Sequence, residues 1–369
     1  MKVLTVGSAM IDTIAIIDSD RIERMTMLNA DSSFLLLEEG RKTEAGEIST
    51  HCGGGAVNAA VAMARLGLDV ATLVKLGQDE RAETVLARLA QERISTRFAL
   101  RDPRAPTGAA VLVASHDRNA AIFTFRGANT LLEPADLVDD LFAIDVIYVS
   151  NLSNQSADCF PALVRRAKAR GALVAANPGV RQLSARAGAF QESLADIDIL
   201  ALNRAEADVL VPRLTVAFGE GGATFALTPG EEPPALAARG LASGGFEMTL
   251  LAFIKAVLTM GPRLVLVTDG GRGAYAGTKD AVLYCPAVDT KVAGTSGAGD
   301  AFASTFVAWQ ALGRPIEESL LAASVNAGAV VAHADTQTGL MTRNAIEQRL
   351  RELAHHKVRR WDLAGHPAP

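Results

Sequence analysis

The chain has 369 residues, 49% hydrophobic and 21% charged, with a mean hydropathy of +0.20, a net charge of −5 and a pI near 5.8. That is apolar material for a large core, one large α/β domain with an appendage; it excludes a disordered chain and speaks against a nucleic-acid-binding surface, which usually carries a basic face. Three cysteines, Cys52, Cys159 and Cys285, lack zinc-like spacing, no signal-peptide pattern opens the chain and no apolar run approaches the roughly 18 residues of a membrane span, so a protein of the reducing cytoplasm, off the membrane, is expected.

In chain order, apolar runs at 3–6, 70–75, 146–149, 173–176, 197–201 and 264–268 are predicted strands, separated by helical patterns such as 56–66 and 157–170. Their apolar character is continuous rather than alternating, which points to central parallel strands covered on both faces: a three-layer α/β/α sandwich with a mainly parallel sheet. Residues 13–18 alternate instead, as do 109–115 and 120–125 across the turn His116-Asp117-Arg118-Asn119. Half-exposed strands of this kind suit a small β lid or an edge hairpin. Residues 211–245 hold Gly219 to Gly222, Pro229-Gly230 and Glu231-Glu232-Pro233-Pro234, and read as a loop-rich insertion. Phe302, Phe306 and Trp309 keep helical spacing over 301–312, and the basic cluster at 355–360 reads as a solvated tail.

The run Gly294-Thr295-Ser296-Gly297-Ala298-Gly299-Asp300-Ala301-Phe302 joins a small-residue turn, a carboxylate and the start of that helix. Small residues let the backbone approach a ligand, and N–H groups converging at a helix N-terminus hold anions. A carboxylate beside a phosphate is repulsive unless it takes the proton of a hydroxyl attacking that phosphate, or unless a cation intervenes; a general base meets both conditions. The alternative is that Asp300 only caps the helix. A second cluster, Gly53-Gly54-Gly55-Ala56-Val57-Asn58, places an amide one turn into an Ala-rich helix, where Asn58 either meets a polar ligand or caps a glycine turn. The chain has neither a GxGxxG dinucleotide fingerprint nor a GxxxxGK[ST] P-loop.

Together the two clusters resemble the paired signatures of the ribokinase-like, or PfkB-type, sugar and nucleoside kinases. Lesser marks follow in order: Gly7 to Asp12, Thr107-Gly108 with Arg126-Gly127-Ala128-Asn129, Asn203-Arg204-Ala205-Glu206, and Thr268-Asp269-Gly270-Gly271-Arg272-Gly273. The resemblance covers residues 1–343 and implies a ribokinase-like kinase domain. It places a β lid at about 13–50 and 107–126, closing over the acceptor, the insertion at about 211–245, and a C-terminal helix and tail at 344–369. It implies ATP and Mg2+, a small-molecule sugar or nucleoside acceptor, and a homodimer through exposed lid strands. Asp300 is then the general base, and the backbone at Gly297, Ala298 and Gly299 stabilises phosphoryl charge. Asp12, Gly53, Gly54 and Asn58 bind the acceptor; Thr268, Gly270, Gly273 and Asn326 the nucleotide. Asn203 and Glu206 hold the hydrated metal, or form a capping box, or both. Arg272, His333 and Asp335 stand between a ligand role and a structural one.

The expected activity is ATP-dependent phosphorylation of a hydroxymethyl group of a small carbohydrate. A nucleoside (adenosine-like) kinase is the alternative, and a ligand sensor that kept the fold but lost the chemistry is a third reading. Gly294 stands where the family motif usually has an Asp associated with a monovalent-cation site, and Met10 where ribokinases have a sugar-binding Asn. The stretch from Asp12 to Gly53 is longer than in a compact ribokinase, closer to the adenosine-kinase-like arrangement.

Overall fold

The computed structural model describes residues 1–18, 23–26, 33–36, 39–40, 42–115, 120–227, 230–353 and 355–363. At its centre is a ten-stranded sheet. Its order is Arg359–Asp362, Ala281–Cys285, Ala274–Gly277, Leu264–Thr268, Ile199–Asn203, Leu173–Ala176, Val146–Val149, Lys2–Val6, Asp69–Leu76 and Ala99–Arg101. From Leu264–Thr268 onward every neighbouring pair is parallel, and the strands on the other side of it pair antiparallel.

Successive strand residues face opposite ways, and here both ways lead into core. Val146 and Tyr148 join one apolar cluster while Ile147 and Val149 join the other. Helices Gly55–Arg65, Ala298–Ala311 and Ile316–Val331 cover the first face; Phe160–Ala169, Arg204–Phe218 and Leu250–Thr259 cover the second. The continuous apolar runs follow from that double burial, and the α/β/α sandwich is as expected.

Some boundaries differ. The strand expected over 197–201 is Ile199–Asn203, because a 3-10 turn at Ser193–Asp196 closes through Ile197 N–H to Leu194 O at 3.1 Å. The helix expected over 157–170 is a 3-10 segment, Asn154–Cys159, followed by Phe160–Ala169, which sets Pro161 in the first turn where no N–H is needed. Helix Arg204–Phe218 runs on through Pro212, so the loop-rich stretch begins at Gly219 rather than 211. The basic cluster is not wholly a solvated tail: Arg359–Asp362 is the edge strand of the central sheet. Its Trp361 packs on Phe225 from the insertion, with ring centroids 4.9 Å apart.

The lid is a four-stranded sheet in the order Glu47–Gly53, Met10–Ile17, Gly108–Ser115, Ala120–Phe125. Ile14 and Leu112 are paired in register and buried toward the body; Val111 and Phe123 are paired and exposed on the other face, with Ile48 and Phe125. A separate hairpin pairs Glu23–Thr26 with Ser33–Leu36. The expected turn at 116–119, Pro229, part of the 13–50 lid segment and residues 364–369 of the tail lie outside the described residues.

Candidate active site

Parallel sheets of this type gather ligands at the carboxyl ends of their strands. Here those ends present Gly7, Ser150, Asn151, Asn177, Asn203 and Thr268, and helices Gly55–Arg65 and Ala298–Ala311 begin above them.

Asp300 is the third residue of helix Ala298–Ala311 and does not cap it. The N-cap is Gly297, with φ 78°, and no side chain caps the first turn. A side chain at Gly297 would also put its Cβ 2.6 Å from that of Thr336. Ala298 N makes only a long 3.5 Å bond to Thr295 O, and first-turn N–H groups, which lack a helical partner, can serve an anion. The Asp300 carboxylate instead meets the other helix: Asn58 Nδ2 donates to its Oδ2 at 2.8 Å. Asn58 does not cap either, the N-cap being Gly54. Its Oδ1 accepts from Thr336 Oγ1 at 2.9 Å and Gln337 Nε2 at 3.1 Å, which fixes the amide with its nitrogen toward Asp300. Both polar atoms of the Asn58 amide are thus engaged within the protein, the oxygen by Thr336 and Gln337 and the nitrogen by Asp300. Burial pushes the Asp300 carboxyl above its ordinary value, and the Asn58 bond opposes that.

Asp335 belongs to the same chain of support. Its Oδ1 accepts from Gln337 N and Thr338 N, each at 2.8 Å, shaping the loop that delivers Thr336 and Gln337 to Asn58. Sequence reasoning missed Thr336 and Gln337. They lie far from Asn58 along the chain, and the only local signal is a polar run after an apolar helix.

Asp12 lies on strand Met10–Ile17, and burial, then the charge of Asp300, push it up to about 6. A Cβ on Gly53 would fall 2.0 Å from Asp12 Oδ2, and one on Gly54, at φ 97°, 2.5 Å from Ser8 O. These glycines make room for the protein's own carboxylate and backbone. Glu206 and Asn203 form the capping box: Glu206 N donates to Asn203 Oδ1 at 2.9 Å and Asn203 N to Glu206 Oε2 at 2.8 Å. Burial pushes Glu206 up to about 7, with Asp300 adding to the rise and Asn203 opposing it.

Two cavities meet here. One, of about 180 Å³, is lined by Asp300, Glu206, Asn203, Asn151 and Asn177. The other, of about 400 Å³, runs along Gly270, Gly271 and Gly273 to Val288, Ala327 and Val331. Thr268, Gly299 and Phe302 line both, and a Cβ on Gly299 would meet nothing within 4 Å. Asn326 does not line the larger cavity. It is buried, donating to Thr305 Oγ1 at 2.7 Å and accepting from Met341 N at 2.8 Å; its helix offers Ser324, Ala327 and Gly328 to the cavity instead. Arg272 turns to Asp269, donating at 2.8 and 2.9 Å. Among the described residues no group of three or more His, Cys, Asp or Glu side chains is placed to hold a metal by itself, and no helix is long and apolar enough to cross a membrane.

A layered α/β fold with a β lid, acidic side chains in helix first turns above the strand ends and an uncapped helix N-terminus between two joined cavities fits a small-molecule phosphotransferase. The chain belongs to the pfkB family of carbohydrate kinases, whose model matches residues 2–343. It is 26% identical over 330 residues to the deoxyribokinase of Salmonella typhi, covering 88% of this chain and 94% of that one. The Burkholderia thailandensis nucleoside kinase in complex with inosine shares the fold at a TM-score of 0.70 and 18% identity, covering 95% of this chain and 98% of that one. So does a putative ribokinase II from E. coli in complex with ATP and Mg2+, at a TM-score of 0.72 and 17% identity over 95% of this chain and 99% of that one. The protein is thus a sugar or nucleoside kinase.

Proposed function

We propose that the protein transfers the γ-phosphoryl group of ATP to a hydroxymethyl group of a small carbohydrate, with Asp300 as general base. The observation that carries this is that Asp300 lines the smaller cavity next to Gly299, which lines both, in the first turn of helix Ala298–Ala311, which no side chain caps. The larger cavity takes the nucleotide along Thr268 and the turn Gly270 to Gly273, its phosphates reaching Gly299. The N–H groups at Gly297, Ala298 and Gly299 receive charge developing on the transferred group. Asp12 orients the acceptor from the lid, and Asp300, held by Asn58, takes the proton of the attacking hydroxyl. Glu206, whose Oε1 lies outside the capping box, is the residue that would hold the waters of the magnesium ion ATP carries, an ion that offsets phosphate charge. Asn203 supports Glu206, since its own oxygen is taken by the Glu206 N–H.

A nucleoside acceptor is the second reading. It is favoured by the extra hairpin Glu23–Thr26 with Ser33–Leu36 between Asp12 and Gly53 and by the likeness to the inosine-bound nucleoside kinase. The exposed apolar face of the lid, Ile48, Val111, Phe123 and Phe125, supports a homodimer through the lids. Three free, buried cysteines suit a reducing cytoplasm. The test is ADP release from MgATP across ketoses, aldoses, sugar acids, sugar phosphates and nucleosides. Acceptor-dependent release identifies the substrate; tight ATP binding with no release on any acceptor speaks for a sensor.

A further inference from the structure

The support of Asp300 continues outward past Gln337. Arg88 Nε donates to Gln337 Oε1 at 2.9 Å, Gln337 Nε2 to Asn58 Oδ1 at 3.1 Å, and Asn58 Nδ2 to Asp300 Oδ2 at 2.8 Å. Three side-chain bonds thus run from helix Glu80–Gln91 to the proposed base, through two amides that are each 3% exposed. The outer end is anchored as well. Arg88 Nη2 pairs with Glu92 Oε1 at 2.9 Å, and Glu92 also takes Arg65, the last residue of helix Gly55–Arg65, at 2.7 and 3.1 Å. Arg65 in turn donates to the backbone of the same loop, to Gln337 O at 3.1 Å and Leu340 O at 2.6 Å. Glu92 therefore ties the arginine on the Gln337 side chain to the one on its main chain.

This relay has a direction. An amide is a donor on one side and an acceptor on the other, so Asn58 and Gln337 fit the same space either way round, and the Thr336 hydroxyl can donate or accept by turning. A guanidinium only donates. With Arg88 on Gln337 Oε1, the Gln337 nitrogen faces Asn58 and the Asn58 nitrogen faces Asp300. Both amides reversed would set the Asn58 oxygen against the carboxylate, a contact that only a protonated acid satisfies. Asp12 from the lid strand, Glu206 from helix Arg204–Phe218 and Tyr148 from strand Val146–Val149 all feel the Asp300 charge, and the two carboxylates oppose it. Around Arg88 stand Glu92 and Arg65, with His51 and Asp335 across a separate cavity of about 330 Å³. Arg88 lines neither cavity of the active site.

We propose that Arg88 is a positioning residue for Asp300: as the donor-only end of the relay it fixes the orientation of both amides, so that Asn58 presents its N–H to the carboxylate that is to accept a proton. This rests on the kinase reading above and extends it to a side chain three hydrogen bonds from the chemistry.

The experiment follows Asp300 itself, by NMR titration of the full chain carrying carboxyl-labelled aspartate, its signal being the one missing from Asp300→Asn. Profiles of kcat/KM against pH on whichever acceptor turns over run alongside. Arg88→Met removes the donor, and Arg88→Gln replaces it with an amide that sits either way. Each is expected to move the Asp300 midpoint and the acid limb up by about half to one pH unit, about 3- to 10-fold in rate on the acid side, while the KM for ATP holds. Arg88→Lys, which keeps a donor-only group, recovers most of the shift. Urea melts confirm that the variants fold, and if Arg88→Met does not, the glutamine and lysine pair decides alone. An Asp300 midpoint unchanged in the variants that fold overturns the proposal and leaves the kinase reading intact, as does a lysine variant shifted as far as the glutamine one. A shifted midpoint with no turnover on any acceptor leaves the relay standing and counts against the kinase reading.

Discussion

Replacing Asn58 with Ala tests how the Asp300 carboxylate, the proposed general base, is held. The change removes the 2.8 Å donor to Asp300 and leaves Thr336 Oγ1 and Gln337 Nε2 without their shared acceptor. A hydrogen bond to a charged group contributes about 1.5–3 kcal/mol, and its loss favours the protonated carboxyl, which burial already favours. Asp300 must be ionised to accept a proton. The acid limb of kcat/KM should therefore move to higher pH, with rates on that side falling by about 10- to 100-fold. Two orphaned donors at a buried position add a stability loss of about 2–4 kcal/mol, read separately by urea melts. Steady-state profiles of wild type and Asn58→Ala between about pH 5 and 9, on whichever acceptor turns over, decide the matter. A limb that stays in place while KM alone rises would refute the positioning role and return Asn58 to the acceptor.

Three further outcomes follow from the same geometry. Gly53→Ala drives a methyl into Asp12 Oδ2 and should raise the acceptor KM at a stability cost of about 1–3 kcal/mol; adding Asp12→Ala to the same chain should recover the stability but not the KM. Asp12 and Glu206 are held at about 6 and about 7, above their unfolded values, so the stability they contribute in acid is lost as pH rises from about 4 through 7. The unliganded protein should thus melt higher at about pH 5 than at about pH 8, and Glu206→Gln should narrow that gap; a gap left unchanged would show that Glu206 ionises freely. Trp361→Ala should cost about 3 kcal/mol if the edge strand Arg359–Asp362 and the insertion share one core, whereas a solvated tail would show almost no change in denaturant midpoint.

Much of the fold was legible because double burial writes itself as continuous apolar runs: 146–149, 173–176 and 264–268 are strands as expected. The lid was legible through its alternation. The edge strand Arg359–Asp362 was not, since a short strand with charged residues reads as tail. At the site, Asp300 stood out because a carboxylate amid small residues at a helix start is unusual chemistry. The bonds of Asn326 to Thr305 and Met341 were not legible, because a polar residue on a buried helix face looks the same in sequence whether it serves a ligand or the backbone of Met341. The glycines at 53 and 54 were found, but their reason, space for Asp12 and Ser8 O, is a long-range fact of packing.

The most direct measurement of the central claim is single-turnover phosphoryl transfer by Asp300→Asn, with ATP affinity measured in the same samples. The account predicts transfer slowed by about 10²- to 10⁴-fold while ATP binds as tightly as to wild type. Transfer at the wild-type rate would show that another group takes the proton and that Asp300 is only part of the frame.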